Sequence, residues 1–214
     1  SNGKTTTKEL IHAVLSKKYN TKATVGNLNN HIGVPLTLLS FDNETELGIV
    51  EMGANHKKEI EFLCQLAKPD YGYITNFGKA HLEGFGGVKG VIEGKSEMYN
   101  YLSENIKLAF INLDDPIQVE KSKKMKSYSF GVNKEEADVN INSVTANPFV
   151  EISFSNLSVK THLIGLYNAN NINAALTIGK YFGVDDLAIK EALEGYVPEN
   201  NRSQLLSKGT NQII

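Results

Sequence analysis

Short apolar runs alternate with amphipathic segments along most of this chain. The runs at residues 47–51, 72–76 and 108–112 are short and largely apolar, which predicts buried strands. The segments between them, near 57–67 and 91–102, carry apolar residues at helical spacing. Strands separated by helices are typical of βαβ units, so we expect a mostly parallel sheet flanked by helices.

Residues 138–163 follow a different pattern, because apolar and polar positions alternate and turn residues interrupt them twice. This predicts a small antiparallel meander added to the α/β core. Two helices, over 171–182 and 186–194, are expected to close the domain, with Asp185 as a helix cap. Polar residues follow Pro198. We therefore expect one domain over residues 1–198 and a boundary, or the start of another domain, over 199–214.

The first seven residues, Ser-Asn-Gly-Lys-Thr-Thr-Thr, match the second half of the phosphate-loop pattern G-x-x-x-x-G-K-[ST]. Gly3 would let the backbone approach phosphates, Lys4 would reach the β- and γ-phosphates, and a threonine hydroxyl would ligate Mg²⁺. The predicted fold is then of the P-loop type. The first glycine and its strand would precede residue 1, so the chain is expected to be part of a larger protein. The alternative is an ordinary threonine-rich helix start.

Polar residues stand where the predicted strands end, and the carboxyl edge of such a sheet is where ligands bind. Glu51 ends the first strand, Asn76 the second, and residues 112–115 follow the third. Glu51 and His81 would lie near a bound triphosphate, where a metal offsets charge. The alternatives are a helix-capping carboxylate for Glu51 and a buried, hydrogen-bonded imidazole for His81.

Two loops are unusual in composition. Residues 78–94 are rich in glycine, which indicates sharp turns or a backbone that approaches a ligand, or else a mobile surface loop. Residues 26–35 are rich in asparagine, whose side chain both donates and accepts. Such amides suit a peptide substrate, although a series of Asx-turns would use the same residues.

Composition excludes several classes of function. The 214 residues are 41% hydrophobic and 21% charged, with a net charge of -2, so we expect no binding to nucleic acid and no insertion into a membrane. The single cysteine, Cys64, excludes an internal disulfide framework and is expected in the core. The lysines between 121 and 126 are expected to form a solvated helix end.

Four segments together resemble the Mur ligases, and among these the MurF type. They are Ser-Asn-Gly-Lys-Thr-Thr-Thr-Lys-Glu from residue 1, Gly-Asn-Leu-Asn-Asn-His-Ile-Gly-Val-Pro-Leu-Thr-Leu-Leu from 26, Val-Glu-Met-Gly-Ala-Asn-His from 50, and Thr-Asn-Phe-Gly-Lys-Ala-His-Leu-Glu-Gly-Phe-Gly from 75. The resemblance covers nearly the whole chain and implies the central ATPase domain of a three-domain enzyme. This chain would lack the domains on either side and would not catalyse alone.

The resemblance also implies a site with ATP and two Mg²⁺ ions. The residues that it assigns to the nucleotide are Ser1, Asn2, Gly3, Lys4, Thr5, Thr6, Asn168, Asn171 and Arg202. Those that it assigns to metals are Thr5, Glu51, His81 and Lys95, with Lys95 carbamylated. Asn27, Asn29 and Asn30 would face the substrate. Lys4, His81, Lys95 and Arg202 would carry the catalysis.

The implied reaction joins D-alanyl-D-alanine to UDP-N-acetylmuramoyl-tripeptide through an acyl phosphate, in peptidoglycan synthesis in the bacterial cytoplasm, by a monomer. Two other readings stay open at this point. One is another Mur ligase or a folylpolyglutamate synthetase-like ligase. The other is a nucleotide-binding module without catalysis.

Overall fold

The computed structural model describes residues 2–78, 82–198, 206–208 and 211–213. The helices are α1 (Lys4–Leu15), α2 (Gly33–Leu39), α3 (Glu59–Ala67), α4 (Leu82–Phe85), α5 (Val88–Glu104), α6 (Pro116–Ser122), α7 (Ala169–Tyr181) and α8 (Asp186–Gly195). The strands are β1 (Thr21–Ala23), β2 (Leu47–Ile49), β3 (Tyr71–Tyr73), β4 (Leu108–Asn112), β5 (Lys126–Val132), β6 (Val139–Ala146), β7 (Phe149–Phe154), β8 (Leu157–Ile164), β9 (Leu206–Lys208) and β10 (Asn211–Ile213).

The strands form two main sheets. β1 and β2 pair in parallel, and a larger sheet has the order β3-β4-β5-β6-β7-β8. The first four strands of the larger sheet are parallel, whereas β6, β7 and β8 are antiparallel. The predicted α/β fold with an added meander is therefore confirmed. The meander is continuous with the parallel strands, because β6 pairs with β5.

Two elements differ from the sequence-based expectation. The lysines between 121 and 126 do not form a single helix end, because α6 ends at Ser122 and β5 begins at Lys126. Strand β5 was not predicted because its first residues are exposed and only its second half, around Phe130, is buried. The asparagine-rich segment, expected to be a loop throughout, becomes helical at Gly33.

The core lies between the larger sheet and helices α1, α7 and α8. Leu10 and Val14 of α1 pack with Ile172 of α7 and with the inward face of the meander. Cys64 lies in a smaller cluster with Val34 and is fully buried, as expected for a core residue. Burial raises the pKa of its thiol to about 12.

The glycine-rich segment is largely helical and holds α4 against α5. Gly86 and Gly87 have φ of 73° and 101°, so the chain turns sharply between these helices. A Cβ on Gly94 would lie 2.5 Å from the Phe85 ring, so α5 approaches α4 closely there. Within the described residues, no helix is long and apolar enough to cross a bilayer. The domain boundary at residue 199 stays a prediction.

Candidate functional site

Residues 2–5 connect the carboxyl ends of two strands that belong to different sheets. The Asn2 carbonyl accepts hydrogen bonds from Thr75 Oγ1 at 3.3 Å and Asn76 Nδ2 at 2.9 Å, just beyond β3. The hydroxyl of Thr5 donates to Glu51 at 3.3 Å, just beyond β2. The predicted phosphate loop therefore lies at the sheet edge where the sequence placed it, at the N-terminus of the twelve-residue helix α1.

Gly3 allows this loop to pass close to α7. Its φ is 85°, in the left-handed region, and a Cβ there would lie 2.6 Å from Asn171 Oδ1. That oxygen also accepts from Thr7 at 3.0 Å, while Asn171 Nδ2 donates to Asn168 Oδ1 at 2.9 Å. Asn168 and Asn171 are 2% and 5% exposed and support the loop from behind. Their contact with adenine stays a prediction.

Glu51 is the buried carboxylate of the site. It is 5% exposed, and its Oε1 accepts from Asn29 Nδ2 at 2.7 Å as well as from Thr5. Its backbone N–H donates to Thr24 Oγ1 at 3.0 Å, which fixes the end of β2. Its second oxygen is buried and has no hydrogen-bond partner among the described residues. A buried carboxylate oxygen without a donor is costly, and a cation would stabilise it.

Lys95 faces the site from α5. Its ammonium donates to the Asn76 carbonyl at 2.7 Å. Burial, and then the positive charge of Lys4, lower the pKa of Lys95 to about 8, although the Asp115 carboxylate acts in the opposite direction. The structure thus brings Lys4, Lys95 and Glu51 to one edge. An unusually large fraction of Lys95 is neutral at physiological pH.

The asparagines of residues 26–35 make different contacts. Asn29 donates to Glu51, as described above, and Asn27 is exposed. Asn30 Oδ1 accepts from the backbone N–H of Gly33 at 2.9 Å, which is the Asx-turn alternative, just before α2. Whether these amides face a substrate stays a prediction.

The buried lysine that holds the start of the asparagine-rich segment was not predicted from the sequence. Lys8 is 6% exposed, and its ammonium donates to the carbonyls of Thr24 at 2.6 Å and Gly26 at 3.2 Å. It therefore anchors the start of the asparagine-rich segment to α1. The available signal was its spacing: Lys8 lies four residues after Lys4, one turn along the same helix face.

Three predicted site residues, Ser1, His81 and Arg202, lie outside the described residues. In the part of the chain that the structure describes, no three His, Cys, Asp or Glu side chains form a group that could hold a metal. The described site therefore offers one carboxylate, one threonine hydroxyl and two lysines at a helix N-terminus. This combination suits an anionic phosphate ligand with a cation beside Glu51.

Comparison with known proteins gives consistent matches. Residues 1–179 match the Mur ligase middle domain. The UDP-N-acetylmuramoyl-tripeptide–D-alanyl-D-alanine ligase of Bacillus subtilis is 35% identical over 206 residues, which are 96% of this chain and 45% of that protein. The Escherichia coli protein of the same name is 32% identical over 222 residues, covering 100% of this chain and 49% of its own length.

Solved structures agree with these matches. A crystal structure of MurF from Acinetobacter baumannii superposes with a TM-score of 0.88 at 31% identity, covering 99% of this chain and 48% of that one. MurF from Thermotoga maritima, in complex with ADP, gives a TM-score of 0.82 at 29% identity and covers 98% and 49%. This chain spans about half the length of the relatives that it matches.

Proposed function

Because this chain belongs to the Mur ligase family as a middle domain, we propose that it is the ATP-binding part of a MurF-type ligase. The enzyme would join D-alanyl-D-alanine to UDP-N-acetylmuramoyl-tripeptide, the reaction for which the curated relatives are named. The observation that carries this proposal is the contact between the phosphate loop and the buried Glu51 through Thr5. It joins a phosphate-binding element to a cation ligand.

The loop supplies positive potential for the phosphates. Backbone N–H groups at the start of α1 would point toward a bound phosphate, and the ammonium of Lys4 would add a positive charge. Arg202, outside the described residues, would add another. These groups act most strongly on the charge that develops as the γ-phosphoryl group is transferred. Asn2 would hold the loop in register with the end of β3 through its carbonyl.

Glu51 and Thr5 fit the first of two Mg²⁺ sites, because Glu51 Oε2 has no donor of its own among the described residues. Mg²⁺ would offset phosphate charge and orient the oxygens of the triphosphate. His81 and Lys95 are proposed for the second site. An ammonium would repel a cation, so Lys95 would serve there as a carbamate. The lowered pKa of Lys95 favours this, since the neutral amine is the form that reacts with carbon dioxide.

The remaining assignments follow from the same proposal. The carboxylate of the UDP-tripeptide would attack the γ-phosphorus of ATP, which would release ADP and form an acyl phosphate. The amine of D-alanyl-D-alanine would then attack the acyl carbonyl, forming the amide and releasing phosphate and a proton. Asn27 and Asn29 would face the tripeptide, with Asn30 shaping their turn. We also propose a monomer acting in the bacterial cytoplasm. The chain by itself would fold but would not ligate, because it spans half of such an enzyme.

The test uses the full-length enzyme that carries this domain, with ATP, Mg²⁺, UDP-N-acetylmuramoyl-tripeptide and D-alanyl-D-alanine. Phosphate release should require both the tripeptide and the dipeptide. Glu51→Gln should lower kcat/KM by about a hundredfold, the scale of losing one group that stabilises transition-state charge. It should also weaken Mg²⁺-dependent nucleotide binding measured by calorimetry.

Glu46→Gln is the matched control, because Glu46 lies just before the opposite end of β2 and is exposed. It should leave both measurements unchanged. Phosphate release that is equally fast without D-alanyl-D-alanine would identify a hydrolase or a switch instead of a ligase. Full activity of Glu51→Gln would overturn the role assigned to Glu51.

A further inference from the structure

Lys8 is a buried cation that takes no part in the steps proposed above. It is 6% exposed, and its ammonium donates to the carbonyl of Thr24 at 2.6 Å and to that of Gly26 at 3.2 Å. The carboxylate of Glu9 lies 3.8 Å from the same ammonium. Taking an ammonium out of water is costly, and contacts of this kind offset that cost with little surplus. The value of Lys8 therefore lies in where it holds the two carbonyls.

Thr24 connects Lys8 to Glu51. Thr24 is 2% exposed, and its hydroxyl accepts from the backbone N–H of Glu51 at 3.0 Å. The same oxygen accepts from the hydroxyl of Thr37 at 3.3 Å, and the backbone N–H of Thr24 donates to the carbonyl of Ile49 at 2.9 Å. Because its backbone and its hydroxyl are both held, a shift of the Thr24 carbonyl would also shift the backbone of Glu51.

These contacts close a ring with the phosphate loop. Thr5 and Lys8 are three residues apart on α1, so they are neighbours on the surface of one helix. Thr5 contacts Glu51 directly, and Lys8 reaches it through Thr24. Both contacts start from the same helix. The distance between α1 and the end of β2 is therefore set at two points.

The start of the asparagine-rich segment is also held at two points. Lys8 holds it at Gly26, where a φ of 57° turns the chain. Asn29 holds it further along, because its side chain donates to Glu51 and its carbonyl accepts from the backbone N–H of Gly53, both at 2.7 Å. The turn between these points, at residues 27–28, is exposed. A turn that is already ordered loses less conformational freedom when it binds a ligand.

We propose that Lys8 is a positioning residue for the tripeptide substrate. By holding the carbonyls of Thr24 and Gly26, it keeps the turn at residues 27–28 ordered and at a fixed distance from the phosphate loop. This inference rests on the proposed function, which assigns the asparagine-rich segment to the tripeptide. Lys8 acts through the backbone of that segment. Its loss should therefore weaken binding of the tripeptide and leave binding of ATP, whose phosphates would meet Lys4 and the start of α1, nearly unchanged.

The test measures kcat and the KM of each substrate in the full-length enzyme, and titrates UDP-N-acetylmuramoyl-tripeptide by calorimetry without ATP. Lys8→Met keeps a long unbranched side chain and removes the ammonium. Lys18→Met is the matched control, because the ammonium of Lys18 also donates to two carbonyls, those of Phe182 at 3.0 Å and Gly183 at 2.9 Å. Lys18 is exposed and lies beyond the other end of α1.

Lys8→Met should raise the KM and the calorimetric Kd of the tripeptide by about tenfold or more, the scale typical of removing a residue that orients a ligand-binding group. The KM values of ATP and D-alanyl-D-alanine should stay nearly unchanged. Lys18→Met should alter none of these values. Lys8→Arg, which keeps the charge and can donate to both carbonyls, should restore most of the tripeptide affinity. Lys8→Gln, which is neutral but still a donor, is the second variant if Lys8→Met does not fold, and it should raise the same KM.

The outcomes separate this inference from the proposed function. A lysine that only stabilises the fold would lower kcat through loss of folded enzyme and leave every KM unchanged, and that result would overturn the proposal. An equal rise in the KM of ATP and of the tripeptide would overturn it as well. If the unmodified enzyme neither ligates nor binds the tripeptide, the proposed function is rejected and this inference with it. Ligation with an unchanged tripeptide KM in the Lys8 variants rejects this inference alone.

Discussion

Gly3→Ala tests whether the phosphate loop is held as rigidly as its contacts indicate. The new methyl group would meet two separate difficulties. The alanine would have to adopt a φ of 85°, and its methyl carbon would lie 2.6 Å from Asn171 Oδ1. That oxygen belongs to a buried amide whose hydrogen bonds to Thr7 and Asn168 leave it little freedom to move.

The two effects have separable magnitudes. A left-handed conformation costs an alanine about 1–2 kcal/mol, and losing a buried hydrogen bond of Asn171 adds about 1 kcal/mol. Gly86→Ala is the matched control, because Gly86 has a φ of 73° and a Cβ there would have nothing within 4 Å. We therefore expect the free energy of unfolding to fall by about 2–3 kcal/mol for Gly3→Ala and about 1–2 kcal/mol for Gly86→Ala.

The assay is urea denaturation of this chain, followed by circular dichroism, with both variants and with Asn171→Ala. In the double variant Gly3→Ala/Asn171→Ala the steric conflict is absent, so the two single effects should sum to about 1 kcal/mol more than the double effect. Equal losses for Gly3→Ala and Gly86→Ala, with strictly additive effects, would refute the claim that Asn171 holds the loop rigidly.

Three further results are expected. In the full-length enzyme, Lys95→Ala should lose most activity and regain part of it with added short carboxylic acids; full activity without them would exclude a carbamate. In buffers free of carbon dioxide, the free energy of unfolding of this chain should rise between pH 8 and 10.5. In that range Lys95 is still protonated in the unfolded chain but neutral in the folded chain, and Lys95→Met should flatten the rise. Asn173 is 1% exposed, and neither amide atom has a partner among the described residues, so Asn173→Leu should stabilise the chain by about 1–2 kcal/mol, while the exposed Asn170→Leu should change little.

The sequence predicted well what depends on local pattern. The parallel strands before Glu51 and Asn76, the antiparallel meander and the cap at Asp185 all follow from periodicity and turn chemistry, and the structure contains each of them. β5 was not predicted, because its exposed lysine and serine precede the buried half that pairs with β4 and β6. Local pattern does not contain the long-range pairing that makes such a segment a strand.

The site shows the same division. Glu51 was expected at the sheet edge because it follows a strand, and Lys95 was expected in the site from the family resemblance alone; the structure has both side chains at that edge. The buried contacts behind them could not, since Lys8 reaches carbonyls sixteen and eighteen residues away and Asn171 reaches Thr7 across 164 residues. Such contacts depend on which helices pack together. A single sequence indicates the packing of helices only indirectly, because an apolar helix face can pack against many different partners.

The loop at residues 2–5 is attached to three separate elements, and this links the proposed nucleotide binding to the packing of the fold. Asn2 is tied to the end of β3, Thr5 to the end of β2, and Gly3 rests against α7. A loop that these contacts already order would lose less conformational freedom when it closes on phosphates, so the contacts and the nucleotide would each strengthen the other. The coupling must be equal in both directions, because the two free energies belong to one thermodynamic cycle. The contacts that hold the loop would therefore serve nucleotide binding as much as stability.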